Sequence, residues 1–189
     1  MVSYLMKASD REVRQCVEWA ESKGYDASLF KKEGFTCTQL KCIKGSFQLG
    51  IDPTPFADPR FKPDQMIQVF YGLKYGVDVS LYVDPRFDAD QMEILRDLLE
   101  RGIDPTPFAD PAFRSLHMYE LRAAILSGLD ISTMLDPDQD WMRVHQERMR
   151  LDAEKEGAWL ISSEGSKWDP PKLRVPFDIR EPNLMPWWD

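Results

Sequence analysis

Met92, Leu95, Leu98 and Leu99 fall on one side of a helical wheel, with mostly polar residues between them. The same spacing occurs 26 residues earlier in Met66, Val69, Gly72 and Leu73, and 26 later in Met118, Leu121, Ala124 and Ile125. Apolar positions at i, i+3, i+6 and i+7 predict amphipathic helices, here of about three turns each. The flanking residues supply start and stop signals. Asp88 followed by Gln91 has the spacing of a capping box, and Pro63 suits a first helical position. Gly76, Gly102 and Gly128 stand just past each stripe, where a left-handed residue ends a helix.

The pattern is a tandem repeat without insertion. GIDPTPFADPRFKPDQMIQVFYGLKY (50–75) is followed by GVDVSLYVDPRFDADQMEILRDLLER (76–101) and GIDPTPFADPAFRSLHMYELRAAILS (102–127). A fourth unit begins at Gly128 and drifts. A degenerate one occupies 24–49, with Asp26 and Phe35 in register and Lys32-Glu33 in place of Asp-Pro. Each unit reads as a short helical turn capped by an aspartate, an Asp-Pro bend anchored by phenylalanine, and the longer helix. One unit cannot bury its stripe alone, so units must stack. The predicted fold is all-α: a small α-solenoid over 24–156, preceded by a capping helix within 1–23 that starts with a Ser9/Glu12 box. The last helix is expected from about Asp138 to Glu156, with Gly157 as its stop. Residues 157–189 carry four of six tryptophans and five of fourteen prolines, which predicts an extended arm.

At 189 residues, with 43% hydrophobic and 30% charged positions, the chain suits one or two globular domains. Its uncharged stretches are too short to span a membrane, and its first residues lack the apolar core of a secretion signal. Three cysteines do not make a disulfide scaffold, so a reducing cytoplasmic setting is expected. The net charge of -8 argues against direct nucleic-acid binding. Charge is also unevenly placed: +2 over residues 1–49 and -7 over 50–136. An acidic repeat region suits a basic protein surface.

No phosphate loop, nucleophile elbow or paired-histidine helix is present, so neither an enzyme nor a cofactor is expected. His117 and His145 read as structural, and Cys37 and Cys42 as buried thiols without a second pair for zinc. Two aspartate columns recur: Asp52, Asp78, Asp104 and Asp130, then Asp58, Asp84, Asp110 and Asp136. All suit caps or Asx turns, and a capping carboxylate still carries charge to the surface. Arg96, Arg122 and Arg148 form a basic column at the border of the stripe. They are expected to pair with Asp-Pro carboxylates of adjacent units; the alternative is an arginine row facing a partner. Trp187 and Trp188 either cover the chain's own last unit or anchor a partner or second copy.

The units resemble an uncharacterised tandem repeat, G-[LI]-D-[VP]-[ST]-x-[YF]-A-D-P-x-F-x-x-x-Q-M, associated with proteins of anaerobic Firmicutes and their mobile elements. The likeness covers 50–127 well and 24–49 and 128–150 weakly, and it brings no catalytic residues. It implies a phage or mobile-element protein that inhibits a bacterial defence nuclease. The expected function is therefore non-enzymatic protein binding, with candidate residues Asp52, Asp78, Asp84, Asp104, Asp110 and Asp130, the arginines Arg96, Arg122 and Arg148, and Trp187 and Trp188. The alternative is a structural protein that self-associates through its tryptophan arm.

Overall fold

The computed structural model describes residues 7–162. Within that range the chain is helical: α1 (Asp10–Lys23), α2 (Cys37–Gln48), α3 (Pro63–Lys74), α4 (Ala89–Glu100), α5 (Ser115–Leu126) and α6 (Trp141–Ser162). Short 3-10 turns lie between them at Ala27–Phe30, Val79–Leu81, Thr106–Phe108 and Ser132–Met134. The extensive helix contacts join sequence neighbours, α1 to α2 and so on to α6.

Local signals account for these boundaries. Ser9 with Glu12, Thr36 with Gln39 and Asp88 with Gln91 form reciprocal capping boxes. The glycines that end successive helices, Gly24, Gly50, Gly76, Gly102 and Gly128, all have φ between 66 and 74°. α6 departs from expectation. It begins at Trp141 and runs through Gly157 to Ser162. A glycine ends a helix only where the chain turns left-handed, and Gly157 does not.

The core follows the 26-residue columns. Phe30, Phe56, Tyr82, Phe108 and Met134 come from the short turns, and Phe35, Phe61, Phe87 and Phe113 from the bends. Leu40, Met66, Met92, Met118 and Val144 come from the helices. All are buried. Every unit thus supplies a turn residue and a helix residue, and every unit through Phe113 also supplies a bend aromatic, to one continuous apolar cluster. Among the described residues no helix is long and apolar enough to cross a membrane.

Candidate protein-binding surface

Exposed carboxylates matter only if the fold leaves them free, so the aspartates come first. Asp52, Asp78, Asp104 and Asp130 each accept the backbone N–H two residues on, at 2.9 Å and through Oδ1. Thr54 and Thr106 add their hydroxyls to the same oxygen. These are caps, made because the short turn leaves its first N–H groups unpaired. The residues are exposed, and among the described residues none of these carboxylates is ion-paired. The backbone N–H of Ser80 holds Asp78 below the usual aspartate range, and the Thr106 hydroxyl does the same for Asp104.

The Asp-Pro column divides. Asp58 and Asp84 cap Arg60 and Arg86 and also take their guanidinium groups, with closest N–O distances of 2.7 and 2.6 Å. That contact lowers both carboxyls and cancels their charge locally. Asp110 and Asp136 cap Ala112 and Asp138 with no such arginine two residues on.

The arginine column reaches back to the preceding helix, not to the Asp-Pro bends that the sequence suggested. Arg96 donates to Gln68 at 3.1 Å, pairs with Glu100 and lies 5.7 Å from the Tyr71 ring centroid. Arg122 meets Asp97 at 2.6 Å, and Arg148 meets Glu120 at 2.6 Å and Asp152 at 2.9 Å. Lys44 occupies the same column and sits 4.8 Å above Trp19. Asp58 and Asp84 are engaged within their own bends, and the unpaired Asp110 and Asp136 are passed over too, because the arginine column faces the preceding helix, where Gln68, Asp97 and Glu120 stand. Arg96 is only 6% exposed, so its surface is spent inside the protein.

A second tie was only half visible in the sequence. Gln39, Gln65 and Gln91 accept the cap N–H of their own helices through Oε1, at 2.6–2.7 Å. Their Nε2 groups donate to two carbonyls of the next unit: Pro59 and Phe61, Pro85 and Phe87, Pro111 and Phe113. The signal available was glutamine where a capping box would also take glutamate. Only the amide can accept and donate at once. His117 stands in this column and bonds the Met134 carbonyl through Nε2 at 2.7 Å, so Nε2 carries the proton. His145 lies 3.0 Å from Glu120. Both histidines are structural in position.

The thiols are not activated. Burial pushes Cys42 up to about 12 and raises Cys16, while the hydrogen bond to Glu12 raises Cys37. Cys37 is half-buried rather than buried, because its thiol reaches Glu12 on α1 at 3.0 Å. Among the described residues no cluster of His, Cys, Asp and Glu is arranged for a metal ion.

Helix faces that meet the next unit carry Gln65, Gln68 and Gly72; their α6 equivalents are Arg143, Gln146 and Arg150, all exposed. Arg150 is held by Glu147 and Glu154. The outer side of α6 is thus largely polar, unlike an interface awaiting another unit. Trp187 and Trp188, and the arm beyond Ser162, lie outside the described residues. Among the described residues the carboxylates of Asp52, Asp78, Asp104 and Asp130 are thus exposed and without an ion pair at one position of four successive units, and Asp110 and Asp136 are likewise so in the last two bends. Comparison with protein-family models, curated proteins and solved structures finds no match for the chain.

Proposed function

We propose that the chain is a non-enzymatic protein-binding solenoid that meets a basic partner surface through the edge formed by Asp52, Asp78, Asp104 and Asp130. The observation that carries this is the same exposed, unpaired carboxylate at one position of successive units. Consecutive packing of α1 to α6 supports the solenoid, since packed helices lie about 8–10 Å apart and space the charges evenly. A Lys- and Arg-lined groove gains most from such an edge. Together with the resemblance to mobile-element repeats, this makes the partner a nucleic-acid-binding host enzyme, a defence nuclease, whose groove the acidic edge occupies. The protein acts in the cytoplasm and needs no cofactor.

The test separates charge from capping. Asparagine caps as well as aspartate but carries no charge. The full chain with Asp78→Asn and Asp104→Asn is compared with the unaltered chain in capture from host lysate at low and high salt. A nuclease held at low salt, released at high salt and bound about tenfold more weakly by the variant supports the proposal. Capture that ignores both salt and the substitutions overturns it.

A further inference from the structure

Three large apolar side chains stand out near the starts of α5 and α6. Leu116 is 53% exposed, Tyr119 39% and Met142 45%. Leu116 and Met142 are equivalent positions of neighbouring units, and Tyr119 is one turn along from Leu116. In α4 the same columns hold Asp90 and Glu93. These two and Asp88 lie close enough to Tyr119 to act on its hydroxyl electrostatically. The patch is thus apolar over the last two units and acidic along one border.

The sequence beyond the described residues contains a matching segment. In KLRVPFDIR, residues 172–180, Leu173, Val175, Phe177 and Ile179 alternate with Arg174, Pro176 and Asp178. Period-two alternation gives an extended chain one apolar side. Lys172, Arg174 and Arg180 outnumber Asp178, so the segment is basic where the patch border is acidic. Length also allows it. Met142 is about 30 Å from Ser162 along α6, whereas residues 163–177 extend to about 50 Å.

We infer that residues 172–180 fold back in the same molecule onto Leu116, Tyr119 and Met142, with their basic side chains toward Asp88, Asp90 and Glu93. The apolar side of the segment then covers surface that would otherwise meet water, and the charges fix its direction. Linkage through the chain makes the contact intramolecular and favours it over capture by a second copy.

Site-selective cross-linking of the full chain tests this. Met142→Cys and Phe177→Cys are introduced together, and disulfide formation under mild oxidation is followed by peptide mapping. A second pair, Ser80→Cys with Phe177→Cys, measures the rate for an exposed site away from the patch. The first pair is expected to link within one molecule about tenfold faster than the second. Adding Glu93→Lys should slow the first pair and leave the second unchanged. Equal rates for the two pairs overturn the proposal, and so does linkage mainly between two chains. Circular dichroism of each variant establishes that helix content is retained.

Discussion

The Tyr82 hydroxyl oxygen lies 1.9 Å from the point where a Cβ on Gly72 would stand. Position 82 holds phenylalanine in the units on either side, as Phe56 and Phe108. The extra oxygen of tyrosine is accommodated by removing the side chain opposite. Yet the hydroxyl is fully buried and, among the described residues, has no hydrogen-bond partner. Tyr82→Phe should therefore stabilise by about 1 kcal/mol, because an unsatisfied polar group is removed. Gly72→Ala should cost about 2–3 kcal/mol, since Val79 Cγ1 is also only 2.7 Å from the added carbon. The double variant should recover part of that loss. Chemical denaturation of the three variants reads all of this, and additive effects would show that the two positions do not meet.

Gln91 should not tolerate glutamate. The carboxylate keeps the bond from the Asp88 N–H but faces the Pro111 and Phe113 carbonyls with no hydrogen to give. A loss of about 2–4 kcal/mol is expected at neutral pH. Such a carboxyl is easier to protonate in the folded protein than in the unfolded chain. The variant should thus approach the parent as pH falls through the carboxyl range. His117→Gln is the converse change, restoring the amide in a unit where His117 Nδ1 is buried without a partner. The melting temperature should rise by about 2–4 °C.

Arg96→Met should destabilise by about 3 kcal/mol, because Glu100 then keeps a charge that is only 15% exposed on its side chain. Arg96→Met with Glu100→Gln should lose clearly less. A double-mutant cycle measured by urea unfolding gives the coupling directly, and a coupling near zero would place the pair among inert surface ion pairs.

Acid should loosen the contact between α1 and α2. Hydrogen bonds from the Cys37 thiol, and then from Ser9, lower Glu12 from an ordinary 4.5 to about 2. A depressed carboxyl contributes stability above its unfolded value and loses it as pH falls through its folded value. The contribution is complete above about pH 4.5 and declines toward pH 2. Glu12→Gln should flatten that part of the pH–stability curve, and an unchanged curve would mean that the Glu12 contacts are absent in solution.

Features that depend on a few neighbouring residues were legible in the sequence. Asp78 and Asp104 cap as expected because an Asx turn is decided within three residues. The arginine column was visible as a ladder, but its acceptors were not. Which helix rows face each other depends on how units are rotated on stacking, and a period of 26 does not state that angle. The same gap hid the Nε2 bonds of Gln65 and Gln91 and the fit of Tyr82 to Gly72. Gly157 misled for another reason. It sits in a segment rich in good helix formers and Arg150–Glu154 pairing, so the helix passes through it. Of the candidate binding residues, structure separates free bend carboxylates such as Asp110 from compensated ones such as Asp84, a distinction set by whether an arginine follows the bend proline.

The glutamine bonds reach 20 and 22 residues ahead, always to the same two carbonyls of the following bend. A fastener of fixed reach makes length a quantised property of this architecture. Losing residues 76–101 as a block would bring Pro111 and Phe113 to the places that Pro85 and Phe87 hold for Gln65, and Arg122 to the place of Arg96 above Tyr71. Losing one residue fewer would leave each donor facing the wrong carbonyl. Gene rearrangement can therefore shorten or lengthen the acidic edge in whole steps, adding or removing one free carboxylate of the Asp78 type each time, while the joints between units stay as they are.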